Sequence, residues 1–342
     1  MNRWRIVTAA LAVVTLAAAL VAGGASASAH RTAKAAKFDP TCGPARAKQR
    51  TVDGTLGSME ISGTPKRIVA LEFSFVDDLV AVGLKPIGIA DDNNPSSLIP
   101  PVKAAVGSYT SVGLRATPNL ETIASLHPDL IIADATRHVK IYDKLKAIAP
   151  TVALDSLQQA YLPNLHSAIV IGQAVNKCGA MRVRVKQDKL VIARIRHVVP
   201  KSYASKRAMF VVSDKSVFNV HSSLAYTPSL LNAIGIGMAN PLKAGKGVNA
   251  YIVMSLEDLV SNNPDIMFVA DYFPGTAVVD KFKESPLWNT VNAVKNHQVF
   301  FVNPFLWSKA RGLLAGELIA QQAVHLLFNK YVSIKLPDIS PA

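Results

Sequence analysis

The sequence predicts an α/β protein: two Rossmann-like lobes with central parallel sheets, joined by one long connecting helix, with a ligand cleft between the lobes. Three observations predict it. Short buried-strand runs alternate with helical patterns in both halves of the chain. A block of sequence recurs 136 residues further on, from Leu120 to Leu256. Between the two copies lies a stretch of helical periodicity with almost no strand signal.

The first 29 residues read as a secretory signal peptide. Arg3 and Arg5 form a positive start, Ile6 to Val21 is an uncharged apolar run, and small residues follow up to Ala29. Such a run is shorter than the roughly 20 apolar residues of a spanning helix. No cysteine directly follows it, so no lipid-attachment site is expected. The reading is of an exported protein, in a periplasm or at the extracytoplasmic cell surface. Residues 30–63 form an N-terminal extension of low periodicity, leading into a first strand around Gly54 to Ile61.

The first lobe is expected over 64–160. Arg67-Ile-Val-Ala-Leu71 is a buried-strand run, and Phe75 to Val82 has helical spacing that stops at Gly83. Short strands follow at Pro86–Ala90, Leu130–Ala133 and Thr151–Leu154, with helices at Leu120–Leu126 and Tyr142–Ile148 between them. Strands spaced by helices imply βαβ units and a mainly parallel sheet. Residues 161–199 read as one long helix, or two nearly collinear ones, with a possible kink at Gly179. The second lobe is expected over 200–342, with strands at Arg207–Ser213, Ile266–Ala270 and Val299–Val302 and a last helix over Leu313–Phe328.

The repeat supports two related lobes. Leu120-Glu121 and Pro128-Asp129-Leu-Ile-Ile-Ala-Asp134 recur as Leu256-Glu257 and Pro264-Asp265-Ile-Met-Phe-Val-Ala-Asp271. Leu79-Val-Ala-Val-Gly83 likewise recurs as Leu231-Asn-Ala-Ile-Gly235.

The 342 residues are half hydrophobic and 18% charged, enough for a large core and too long for one small domain. The formal charge is +14, and removal of Arg3 and Arg5 leaves 14 − 2 = +12. The densest basic stretch, Arg182 to Arg196, mixes its charges with Val, Leu and Ile at helical spacing and reads as a solvated helix face. With no zinc-finger spacing, aromatic RNA-binding motif or basic zipper, nucleic acid is not an expected partner. The two cysteines, Cys42 and Cys178, suggest one disulfide in an exported chain; two unpaired thiols are the alternative. The eight histidines lack metal-ligand spacing, and neither a Gly-x-Ser-x-Gly elbow nor a His-Glu-x-x-His helix occurs. No enzyme, cofactor or resident metal is expected.

Several blocks resemble the helical-backbone (class III) periplasmic binding proteins, and within that class the ferric dicitrate-binding branch. They are Leu71-Glu-Phe-Ser-Phe75, Pro86-Ile-Gly-Ile-Ala-Asp-Asp-Asn93, Ser111-Val-Gly-Leu-Arg115, Pro118-Asn-Leu-Glu121, Pro128-Asp-Leu-Ile-Ile-Ala-Asp134 and Arg137-His138. The resemblance runs from about Thr64 to Phe328. It implies a monomeric solute-binding protein that takes a ferric siderophore of citrate type and presents it to the permease of an ABC importer. The same fold with a hydroxamate or mixed citrate–hydroxamate siderophore, haem or a cobalamin is the alternative. A ferric carboxylate chelate is an anion whose iron is already held, so the protein needs donors and positive charge. Arginine suits carboxylates through its planar fork.

The resemblance and the strand ends select the cleft candidates. Arg115 lies on a loop after a strand signal, and Arg137 and His138 lie just past a strand end, where open α/β sheets bind ligands. His221 sits in an Asn-Val-His run that resembles the family's Asn-Leu-His, and Tyr272 follows the second lobe's Ala270-Asp271. Trp307, Lys309 and Arg311 lie in a segment where the family carries two arginines; Lys309 departs from that pattern. Glu121 and Glu257, equivalent in the repeat and each near a helix start, are expected to dock the permease, one per lobe.

Overall fold

The computed structural model describes residue 42 and residues 48–241 and 248–332. The signal segment and most of the extension lie outside these residues. The described chain begins with a hairpin of β1 (Gln49–Gly54) and β2 (Gly57–Ser62), paired antiparallel. The single strand expected at 54–61 is therefore the turn and second arm of this hairpin. Then come β3 (Ile68–Ala70), α1 (Phe73–Val80), β4 (Gly88–Ile89), α2 (Pro100–Val106), β5 (Thr110–Ser111), α3 (Leu120–Ser125), β6 (Leu130–Asp134), α4 (Tyr142–Ile148) and β7 (Thr151–Leu154). Two helices follow, α5 (Tyr161–Ala174) and α6 (Cys178–Val198). The second half contains β8 (Ala208–Ser213), β9 (Phe218–His221), α7 (Tyr226–Ala233), β10 (Tyr251–Val253), α8 (Leu256–Asn262), β11 (Ile266–Asp271), α9 (Val278–Lys283), α10 (Asn292–Lys295), β12 (Val299–Val302) and α11 (Leu313–Phe328).

The two five-stranded sheets have one order. The first runs β5-β4-β3-β6-β7 and the second β10-β9-β8-β11-β12, so each strand of one has its counterpart in the other. The first is wholly parallel. In the second, β9 runs antiparallel to β8, because the chain returns through a short turn at Asp214–Val217 instead of a helical crossover. The repeated sequence blocks occupy matching places: α3 leads into β6 as α8 leads into β11. Asn119 caps α3 by accepting from Thr122 N at 2.9 Å, and Ser255 caps α8 by accepting from Asp258 N at 3.1 Å.

Side chains of the strands alternate between two cores. Ile68, Ala70, Leu130, Ile132, Phe210 and Phe268 join one large cluster with α1, α5, α6, α7 and α11. Val69, Ile131 and Ala133 face a second cluster under α3 and α4, and Met209, Val211, Met267 and Val269 a third. Burial on both faces explains why β6, β8 and β11 read as continuous apolar runs. Because the first cluster spans both sheets, the lobes share one core on their helical side. That makes wide separation costly.

The helical stretch between the sheets is a hairpin, not a single or nearly collinear run. Tyr161, at the start of α5, donates to the Asp188 carboxylate halfway along α6. A continuous helix would put 27 residues of rise, roughly 40 Å, between them. The break falls before Gly179. Asn176 takes a left-handed φ of 58°, Asn176 N donates to Gln173 O and Lys177 N to Gly172 O, which is a Schellman stop. Gly172 lets the two helices touch, since a Cβ there would lie 2.6 Å from Met181 Cβ. Cys42 and Cys178, the first residue of α6, form a disulfide. Among the described residues no helix is long and apolar enough to cross a membrane.

A buried polar hub ties these helices to α11. Arg184 pairs with Glu317 at 2.8 Å, and the Asp77 carboxylate of α1 accepts from Leu314 N and Ala315 N at the start of α11, both at 2.9 Å. Burial pushes the Asp77 carboxyl up to about 6 and that of Asp188 up to about 7. The link from α1 to α11 fixes where the segment just before α11 lies, and that segment carries Lys309 and Arg311.

Candidate functional site

The site is organised around one carboxylate. Glu72 follows β3 and precedes α1 with an extended backbone, and it is fully buried. Its neighbours β4 and β6 lie on opposite sides of β3, so Glu72 sits at the point where strand order reverses, the usual ligand position of an open α/β sheet. Three guanidinium groups donate to it. Arg115 Nη1 reaches Oε2 at 3.0 Å, Arg311 Nη2 reaches Oε2 at 3.0 Å, and Arg137 Nε reaches Oε1 at 2.5 Å. Burial alone would favour the neutral acid. The charges of Arg115, Arg311 and Arg137 outweigh it and hold the carboxyl below its usual range.

A second carboxylate lies further out. Asp92 Oδ2 accepts from Arg115 Nε at 3.1 Å, Arg115 Nη2 at 2.9 Å and Lys309 Nζ at 3.1 Å, while Oδ1 accepts from Arg115 N at 3.0 Å. Burial opposes its ionisation as well, but these bonds and charges pull its carboxyl down to about 2. Arg115 and Arg137 belong to the first sheet's loops, Lys309 and Arg311 to the segment between β12 and α11. Four cations from both lobes thus pair with two carboxylates, two more cations than ion-paired acids.

Local structure fixes the three arginines. Arg115 lies over the Phe73 ring at 4.4 Å. Its carbonyl accepts from His138 Nε2 at 2.7 Å. Asp134, at the end of β6, takes Arg137 N on Oδ1 at 2.7 Å and Ser156 N on Oδ2 at 3.0 Å. Ser156 in turn places its Oγ 3.3 Å from Arg311 Nη2. One buried acid therefore sets the loops that support two of the arginines.

Of the residues named from the sequence, Arg115, Arg137, Lys309 and Arg311 come together. Tyr272 and His221 border them. Tyr272 has Lys309 Nζ 5.5 Å from its ring centre, and its hydroxyl bonds Ser308 Oγ at 2.7 Å; burial pushes the phenol up to about 12. His221 packs on Tyr251 with ring centres 4.4 Å apart, and burial with the Arg311 charge lowers it to about 3, so it is neutral at physiological pH.

Two candidates are corrected. His138 has both ring nitrogens in use: Nδ1 accepts from Asp134 N at 2.9 Å and Nε2 donates to the Arg115 carbonyl. It positions Arg115 and has no donor left for a ligand. Trp307 is fully buried, stacks on Phe268 at 4.9 Å and donates its indole N–H to Gln322 Oε1, so it is core. Glu121 and Glu257 lie apart from the cluster, exposed in the first turns of α3 and α8.

Sequence reasoning missed Glu72 and Asp92. Glu72 carried a signal: a carboxylate directly after a buried strand run, at a helix start, among otherwise basic candidates. Asp92 stands beside Asp91, whose own carboxylate is buried and accepts from Tyr109 Oη at 2.9 Å and from Ser111 Oγ. A groove of about 750 Å³ between α2 and the 303–306 segment is lined by Leu98, Ile99, Pro100, Phe305 and Leu306. Its one charged lining residue is Lys103, so it is not where the cations converge. Among the described residues no group of His, Cys, Asp and Glu is arranged to hold a metal ion.

Comparison with known proteins agrees with this architecture. Residues 68–304 match the family model described as periplasmic binding protein. The Fe(3+)-citrate-binding protein YfmC of Bacillus subtilis is 37% identical, over 94% of this chain and 97% of its own length. The Fe(3+) dicitrate-binding periplasmic protein FecB of Escherichia coli is also 37% identical, over 83% of this chain and 92% of its own. The crystal structure of Staphylococcus aureus SirA complexed with staphyloferrin B superposes with a TM-score of 0.71 at 25% identity, covering 81% of this chain and 98% of that one. Twin sheets of one strand order, a polar cluster at their strand ends and a match across both halves lead to one assignment: the chain belongs to the periplasmic binding protein family, whose members are binding proteins rather than enzymes.

Proposed function

We propose that this protein is exported and captures an anionic ferric chelate of the citrate type for delivery to an ABC permease. The observation that carries the reading is the meeting of Arg115, Arg137, Lys309 and Arg311, from both lobes, with two positive charges beyond what Glu72 and Asp92 neutralise. Such a surplus suits a compact polyanion with carboxylate oxygens on several sides. The iron arrives within its chelate and needs no protein ligand. Tyr272 and the neutral His221 supply uncharged contacts at the edge. The ligands named for the two 37%-identical relatives support the same class. Delivery would use Glu121 and Glu257, one at each lobe's surface, and the signal-like first 29 residues support export.

Calorimetric titration of the purified protein with ferric dicitrate, a citrate-based siderophore and a neutral ferric hydroxamate tests the reading. The two carboxylate chelates bind and weaken as salt rises, since surplus charge drives them. The neutral hydroxamate binds at least about tenfold more weakly, a difference of about 1.4 kcal/mol. Preference for the hydroxamate, or affinity indifferent to salt, would contradict it.

A further inference from the structure

Asp92 contributes to the frame of the site only through Oδ1, which accepts from Arg115 N at 3.0 Å, while the three guanidinium groups converge on another carboxylate. That carboxylate is Glu72, with both its oxygens occupied beneath three guanidinium groups and no surface exposed. Asp92 differs in three ways. Its side chain keeps 21% exposure. It bridges the lobes, since Arg115 comes from one and Lys309 from the other. One oxygen of its carboxylate, Oδ2, also accepts from both Nε and Nη2 of Arg115, the donors a ligand carboxylate would need.

The backbone holds it there deliberately. Asp92 and Asn93 take left-handed φ values of 60° and 52°, two in succession without glycine. Asp91 clamps the turn: Oδ1 accepts from Asn93 N at 3.0 Å and from Ser111 Oγ, and Oδ2 from Tyr109 Oη. Asp92 N donates to Gly113 O at 3.1 Å. With the backbone fixed, rotation about the Asp92 side-chain torsions alone would release Arg115 and Lys309.

We propose that Asp92 is an internal competitor: its carboxylate contends with the carboxylates of the ligand for Arg115 and Lys309, and so sets the least ligand charge the cleft accepts. This rests on the functional reading above. A ligand with one carboxylate replaces one pairing by another and gains little. A chelate with several carboxylates displaces Asp92 and still has groups left for Arg137 and Arg311. Discrimination then comes from an opposing element as well as an attractive one. No residue elsewhere in the cluster combines partial exposure, pairing across the lobes and negative charge.

Calorimetry on the wild type, Asp92→Asn and Asp92→Glu tests it, with ferric dicitrate and iron-free citrate as probes. Asp92→Asn is expected to tighten ferric dicitrate about tenfold, the scale of one partly exposed charge pair. Iron-free citrate, which must displace the same carboxylate, should tighten as well. Asp92→Glu keeps the charge and should bind no tighter than wild type. Melting temperatures are recorded for each variant; if Asp92→Asn is poorly folded, Asp92→Ser is read in its place. Unchanged or weaker binding in the neutral variants, or equal tightening in Asp92→Glu, would overturn the proposal while leaving the functional reading intact. A wild type that binds no ferric carboxylate would overturn both.

Discussion

Arg311→Ala is expected to lower the affinity for ferric dicitrate by at least about a hundredfold. Each charge-assisted hydrogen bond contributes about 1.5–3 kcal/mol, and truncating one partner of a buried charge pair costs about 2–5 kcal/mol. Arg311 is involved in both ways. It is almost fully buried, it donates to Glu72 at 3.0 Å, and it is the fixed arginine contributed by the second lobe. Its loss removes a fork from the ligand and leaves Glu72 with two guanidinium partners instead of three. Arg311→Lys separates these effects. It retains the charge but not the fork, so its affinity should fall between those of wild type and Arg311→Ala. Titration with ferric dicitrate, alongside thermal melting, reads the outcome. Full affinity in a well-folded Arg311→Ala would assign this arginine to structure alone.

Reversing Glu121 and Glu257 together is expected to abolish uptake while leaving ligand affinity within about twofold of wild type. Both acids are exposed, and each lies in the first turn of a short helix. Neither pairs with a cleft cation: the cluster's bridges run to Glu72 and Asp92. A carboxylate in a first helical turn contributes some tenths of a kcal/mol through the helix dipole, so Arg at these positions costs little stability. The effect on transport should be large, because like charges placed opposite a partner's cations on both lobes repel at two points. Uptake of labelled ferric dicitrate by cells carrying Glu121→Arg with Glu257→Arg, beside titration of the purified variant, checks it. Normal uptake would remove both residues from docking, and weakened ligand binding would move them into the cleft.

The fold was legible where local sequence and tertiary burial ask for the same residues. Leu130-Ile-Ile-Ala-Asp134 and Ile266-Met-Phe-Val-Ala-Asp271 are buried on both faces, so their apolar runs mark central parallel strands. The recurrence of those blocks pointed to two related lobes, and the structure gives their sheets one strand order. The helical stretch misled because periodicity reports the face a helix buries, not its direction. Its stop depends on a single left-handed asparagine, Asn176, whereas Gly179 simply continues the first turn of α6. The antiparallel β9 was likewise out of reach, since a strand's direction is set by its connection rather than by its side chains.

In the site, the cations were legible and their partners were not. Arginines just past strand ends can be picked out one at a time. Glu72 gains its meaning only when residues 43, 65 and 239 positions away converge on it, and no local pattern encodes that. His138 and Trp307 failed for a related reason. Sequence placed them beside the right neighbours, but hydrogen bonding to the Arg115 carbonyl and stacking on Phe268 decide which way they face.

The central claim is that cations of both lobes close around one anion. A crystal structure of the protein with bound ferric dicitrate tests it most directly. The account predicts carboxylate oxygens within hydrogen-bonding distance of Arg115, Arg137 and Arg311 at once, with Glu72 still bridging the three from beneath. A chelate seated elsewhere, such as the apolar groove beside Leu98 and Phe305, with the arginines still bound only to Glu72 and Asp92, would contradict it.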